Sequence, residues 1–118
     1  MNYLVYVAGK LTADSKERME AYRQEAKAFG AEVRRATGCR TFIPHVQIEE
    51  DPHLDGEALW GQCMEDCLLI MSRCDAVIFM PNWTHSRGAR VERLNARAWG
   101  IPIADSIPSL KRILGEPA

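Results

Sequence analysis

The residues best suited to chemistry stand together in one short stretch, Ser86-Arg87-Gly88-Ala89-Arg90-Val91-Glu92, after a polar loop. Ser86 has the side chain of a helix N-cap, whose oxygen accepts a backbone N–H from the turn that follows. Gly88 has no Cβ and lets backbone N–H groups approach a ligand closely. A helix N-terminus holds unpaired N–H groups and the positive end of the dipole, so it suits an anion. Glu92 shares a helix face with Gly88 and Asn95, and so looks back toward whatever the loop holds. A carboxylate in that position can serve as nucleophile, as base or as a stabiliser of developing positive charge. On sequence alone the other reading stays open: a solvated helix residue paired with Arg90, Arg93 or Arg97.

Something must hold that helix in place. Residues 76–80 form an apolar run that ends at Pro81, of the length and bulk of a strand buried on both faces. A polar loop and a helix start at the carboxyl end of such a strand are where open α/β sheets bind ligands. Residues 3–8 (YLVYVA) read as a first buried strand, closing at Gly9. A long helix then starts at Asp14 or Ser15 and ends at Gly38, with Met19, Tyr22, Ala26, Phe29, Val33 and Ala36 as its apolar stripe. Gly30 lies off that stripe, so one helix runs through it. Residues 40–44 make a second short strand, and residues 45–56 are acidic and irregular. A further helix carries Trp60, Cys63, Cys67, Ile70, Met71 and Cys74 on its inner side. A strand at residues 75–80, the Ser86 helix, a short strand at 101–104 and a helix ending near Leu114 complete the chain.

Alternating strands and helices imply an α/β fold, a three-layer Rossmann-like or flavodoxin-like parallel sheet with helices on both faces. Residues 1–118 form a single domain in this reading. The crevice lies between the Gly9 loop and the loop at residues 82–88. Tyr6, Gly9, His45, Asp66, Ser86, Gly88 and Glu92 converge on it.

Composition removes several function classes. A net charge of −1, with Lys and Arg scattered among acids, makes no electrostatic case for binding a nucleic acid polymer. No apolar run approaches the roughly 20 residues a membrane span needs, and the N-terminus lacks the form of a signal peptide. A cytoplasmic protein is expected. Cys39, Cys63, Cys67 and Cys74 form no CxxC pair, and with His45, His53 and His85 they match no common zinc spacing. Buried free thiols are expected, with no metal and no cofactor.

YVAGK at Tyr6 to Lys10, the Glu65-Asp66 pair, CDAVIF from Cys74 to Phe79, and the Ser86-x-Gly88-x-x-x-Glu92 spacing resemble the nucleoside 2-deoxyribosyltransferase-like superfamily. That superfamily includes deoxyribosyltransferases and deoxynucleoside 5′-monophosphate N-glycosidases. The resemblance covers most of the chain and is most specific over residues 75–100. It implies a Rossmann-like fold, a homodimer or higher homo-oligomer, and a small nucleoside or nucleoside 5′-monophosphate as ligand. By the same resemblance Glu92 matches the nucleophile, Asp66 the carboxylate that protonates the departing base, and Tyr6 the tyrosine that positions the nucleophile. Ser86 and Gly88 match the groups that hold a 5′-phosphate, and His45 is a looser match. The chain departs from the pattern after Gly9, where Lys10 opens a less glycine-rich loop and takes on part of the phosphate recognition. Trp83, in the loop before Ser86, is placed to contact a base or to cover the crevice.

These residue types suit cleavage of an N-glycosidic bond, by hydrolysis or by base transfer. Charge builds on the sugar as the bond breaks, and a carboxylate beneath the anomeric carbon stabilises and traps it. The base needs a proton to leave, hence a second carboxyl group in a different environment. A nucleotide-binding sensor without turnover would use the same binding residues and is the alternative.

Overall fold

The structure is a computed structural model and describes residues 2–115. Among the described residues four parallel strands form one sheet in the order β2-β1-β3-β4: β1 at Leu4–Ala8, β2 at Arg40–Phe42, β3 at Ala76–Phe79 and β4 at Ile103–Ala104. The first and third strands are central neighbours, as the buried apolar runs predicted. Val5 pairs with Ala76 and Ala8 with Phe79, so both carboxyl ends point the same way. The start of this pair is pinned by Asp75, whose carboxylate accepts the Leu4 N–H at 2.8 Å.

Side-chain alternation along the two central strands divides the core into two layers. Val5, Val7, Ala76 and Ile78 face the long helix α1 (Lys16–Thr37) and the terminal helix α5 (Ile107–Ile113), meeting Ala26, Val33 and Leu110. Tyr6, Ala8, Val77 and Phe79 face the other way, onto α3 (Gly56–Met71) and α4 (Arg87–Ala98), meeting Cys67, Met71, Ala89 and Ala96. This is the three-layer α/β arrangement expected from the alternation of elements.

Helix α1 is bounded by the residues expected of it. Ser15 caps its start by accepting the Arg18 N–H, and Gly38, at φ 74°, closes it in the left-handed conformation with its N–H on the Arg34 carbonyl. Several details differ from the sequence reading. Gly30 is buried and lies under Ile43, whose Cδ1 would sit 2.5 Å from an added Cβ. The glycine therefore belongs to the packed face, where an added side chain would require the Ile43 side chain to move. The second strand ends at Phe42, because Pro44 starts a short helix α2 at Pro44–Gln47. Cys74 lies beyond the end of α3, in the turn that leads into β3. Trp99 is 48% exposed at the end of α4. No helix among the described residues is long and apolar enough to cross a membrane.

Candidate active site

The loop after β3 is a single 3-10 turn, Pro81–His85, which delivers the chain to Ser86. Ser86 is buried, and its Oγ accepts the Ala89 N–H at 3.1 Å, capping α4 as its type and position predicted. Gly9 faces this turn across the end of the sheet. An added Cβ there would meet the Met80 side chain at 2.7 Å and Asn82 Oδ1 at 3.1 Å, so glycine is what lets the two strand ends lie this close. The contact is held by Asn82 Oδ1 accepting the Lys10 N–H at 3.0 Å, and by Lys10 Nζ donating to the His85 carbonyl at 2.7 Å.

Behind Ser86 a cavity of about 510 Å³ opens between α3 and the α1–α2 side of the molecule. Gly9, His45, Ser86, Gly88 and Glu92 all line it. Glu92 is 5% exposed, and no arginine pairs with it: Arg93 turns outward to a two-point contact with Asp105, at 2.7 and 3.0 Å. The partner of Glu92 is Tyr6, fully buried on β1, whose hydroxyl donates to Glu92 Oε2. Sequence separation of the two is large, and only the sheet brings them together.

Burial sets the electrostatics of this pair. Loss of solvation pushes the Glu92 carboxyl up to about 7, and the Tyr6 hydrogen bond pulls the other way by favouring the ionised form. Tyr6 is raised well above the usual phenol range, first by burial and then by the adjacent Glu92 charge. Cys67, which lies beside them on α3 and lines the cavity, is pushed up to about 12, chiefly by burial, and stays a thiol. His45 is lowered by burial, so its ring is neutral near pH 7, and Nε2 donates to the Lys10 carbonyl at 3.1 Å. The site thus contains a carboxylate that ionises near neutrality, with the Tyr6 hydroxyl as its hydrogen-bond partner.

Three sequence expectations are corrected here. Asp66 does not line the cavity; the pitch of α3 turns it aside, and its carboxylate accepts from the Gln62 side chain. Lys10 does not line it either, because its ammonium reaches across to the His85 carbonyl instead. Trp83 packs outside the cavity, its ring edge-on to Phe79 at 5.7 Å with the Arg93 guanidinium 4.3 Å above it. The 3-10 turn folds that side chain back onto β3 rather than over the ligand space.

Other wall residues were missed. Arg23 of α1 lines the cavity and donates through Nε to the His45 carbonyl at 2.9 Å. Glu50 lines it from the acidic segment that carried no role. Trp60 lines it under the Arg87 guanidinium, 3.7 Å from the ring centre. For Arg23 the available signal was its place one residue after Tyr22 on the apolar stripe; for Glu50 there was none. Among the described residues no three His, Cys, Asp or Glu side chains cluster as a metal site.

No curated protein matches this sequence. Among solved structures, a conserved protein from Enterococcus faecalis V583 is similar at 20% identity, with a TM-score of 0.55 over 87% of this chain. The chain spans 62% of the length of that protein. A 2-deoxyribosyltransferase from the psychrotolerant bacterium Bacillus psychrosaccharolyticus is similar at 15% identity and a TM-score of 0.59, over 85% of this chain and 69% of that one. At such identities the shared property is the fold, and it is the fold that the superfamily resemblance implies. With residues 3–105 matched by its model, the chain belongs to the family described as Domain of unknown function (DUF4406).

Proposed function

We propose that the protein cleaves the N-glycosidic bond of a nucleoside or nucleoside 5′-monophosphate, with Glu92 as nucleophile. One observation carries this reading: a buried glutamate, bonded by a buried tyrosine, opens onto a cavity at the carboxyl end of the central strands. A carboxylate kept from water and from cations is costly to maintain unless its charge is used. Positive charge developing on a sugar is what such a group stabilises best. The apolar wall of Leu59, Trp60 and Met64 supports a base as the group lying above the sugar. The Ser86 turn, with the first N–H groups of α4 beside it, supports a 5′-phosphate. Leu69, Leu94 and Trp99, exposed on α3 and at α4, support the homo-oligomer that the resemblance implies.

In the first step the Glu92 carboxylate attacks C1′ as the base departs, leaving a glycosyl ester; water or a second base then attacks C1′ and releases Glu92. Tyr6 holds Oε2, so the other oxygen faces the sugar. The test is incubation of the protein with a panel of nucleosides and 5′-monophosphates, followed by chromatography for free base. Release by the wild type and none by Glu92→Gln supports the reading; release by neither identifies a binding protein without turnover.

Two further results are expected. The acid limb of the pH–rate profile lies near 7, because only ionised Glu92 attacks. Tyr6→Phe removes the hydrogen bond that favours the ionised form, so the limb moves to higher pH and the rate at pH 7 falls. An unmoved limb would separate Tyr6 from the chemistry. Ser86→Ala raises KM for monophosphates and leaves nucleosides nearly unaffected, while loss of the cap costs about 1 kcal/mol of stability. Urea titration of the variant reads the second effect, and equal weakening toward both substrate types in a folded variant would remove the phosphate from Ser86.

A further inference from the structure

Cleavage at C1′ needs a proton donor for the leaving base, and the carboxyl group expected to provide it does not face the ligand space. Asp66 and Glu50 both lie near the Cys63 thiol, close enough for their charges to act on it. Of the two, only Glu50 lines the cavity. Its place there is built. The Gln62 side chain bonds the backbone on either side of it, accepting the Asp51 N–H at 3.3 Å and donating to the Glu49 carbonyl at 3.4 Å. The same amide donates to Asp66, which fixes which way its oxygen and nitrogen point. The Asp66 carboxylate therefore orients Gln62, Gln62 clamps residues 49 and 51 to α3, and the residue between them, exposed to solvent, borders the cavity. One turn along α3 from Cys63 lies Cys67, beside Tyr6 and Glu92, so the two carboxyl groups border the same space.

Resting on the proposed cleavage reaction, we infer that Glu50 is the catalytic acid for the departing base and that Asp66 and Gln62 are positioning residues. As the bond from C1′ to the base breaks, its electron pair passes to the base, and a base nitrogen takes the proton from the Glu50 carboxyl. A Glu92 oxygen bonds to C1′ in the same step. Glu50, now ionised, takes a proton from the water that attacks C1′, and Glu92 leaves as carboxylate. Both groups return to their starting states.

A leaving base that needs no proton separates this role from a structural one. A guanine methylated on N7 is already cationic in the nucleotide and departs without protonation. Wild type, Glu50→Gln, Gln62→Leu and Asp66→Asn are assayed on 2′-deoxyguanosine 5′-monophosphate and guanosine 5′-monophosphate, and on the N7-methylated form of each, against enzyme-free controls. Glu50→Gln should lose on the order of 10²–10⁴-fold on the unmethylated substrates, the usual worth of a positioned acid, and keep its rate on the methylated ones. Gln62→Leu and Asp66→Asn should show smaller losses with the same selectivity, because they act through Glu50. Wild-type turnover with Glu50→Gln undiminished on every substrate overturns the assignment of Glu50 and leaves the cleavage reaction standing. A selective loss in Asp66→Asn without one in Glu50→Gln returns the role to Asp66. Equal loss on methylated and unmethylated forms in a folded Glu50→Gln variant also overturns it. Failure of the wild type to release base from any member of the nucleoside and 5′-monophosphate panel overturns the cleavage reading and this inference with it.

Discussion

Glu92→Gln is expected to abolish base release, by on the order of 10⁴–10⁶-fold, the loss seen when a covalent nucleophile is removed. The substitution is close to isosteric and keeps an oxygen for the Tyr6 hydroxyl, so Tyr6, Cys67 and Ala89 retain their packing. An amide cannot form the glycosyl ester, and it offers no negative charge to the sugar in the transition state. Ligand binding should survive, since the Ser86 turn and the apolar wall are untouched. The measurement is single-turnover chromatography beside equilibrium binding of the same nucleotide. Intact binding with no base release places Glu92 at the chemical step; a variant that releases base at the wild-type rate removes it from the mechanism.

The same substitution should stabilise the folded protein, and the effect has a defined pH window. In the unfolded chain Glu92 ionises near its ordinary value of 4.5, whereas burial moves it to about 7 in the folded state. Between those values the native state still holds the proton and the unfolded state has released it, so stability falls as pH rises. The contribution is fully present below about 4.5 and lost once pH has passed through 7. Its size follows from the shift, at 1.36 kcal/mol per unit, as about 3 kcal/mol. Glutamine carries no charge at any pH and escapes this loss. Urea unfolding at pH 5 and pH 8 should show Glu92→Gln gaining on the wild type at pH 8 by up to about 3 kcal/mol, and by much less at pH 5. Identical pH dependence in the two proteins would mean that Glu92 is solvated. Gain of stability with loss of turnover is the pattern of a site kept for function at the expense of the fold.

Local chemistry made much of this architecture legible from residue types alone. The strands at Leu4–Ala8 and Ala76–Phe79 are short runs of bulky apolar residues, and burial on both faces leaves them no other place than the middle of a parallel sheet. Helix α1 announces itself by its stripe, its Ser15 cap and its Gly38 stop. Ser86, Gly88 and Glu92 belong to the first two turns of one helix and its cap, so their relation is a matter of helical pitch and could be read directly. The first strand, the Gly9 loop and the Ser86 helix then had to share one end of the sheet, because parallel neighbours point the same way.

What lay beyond the sequence was every relation that crosses elements. Whether Glu92 meets an arginine or a tyrosine depends on the rotation of α4 against the sheet, and the chain offers Arg90, Arg93 and Arg97 close by on the same helix. Packing of Ala89 and Ala96 against the sheet, with Arg93 drawn out to Asp105, turned Glu92 inward to Tyr6. Asp66 fails to reach the cavity for the same kind of reason: one helical residue from Cys67 is about 100° around the axis. Cys67 faces the sheet, so Asp66 faces Gln62 and the clamped segment. Glu50 sits in an irregular stretch whose path no periodicity encodes, and the backbone on either side of it is held by a side-chain amide twelve residues away on another element. Spacing decides what shares a face of one helix, and only the tertiary fold decides what that face looks at.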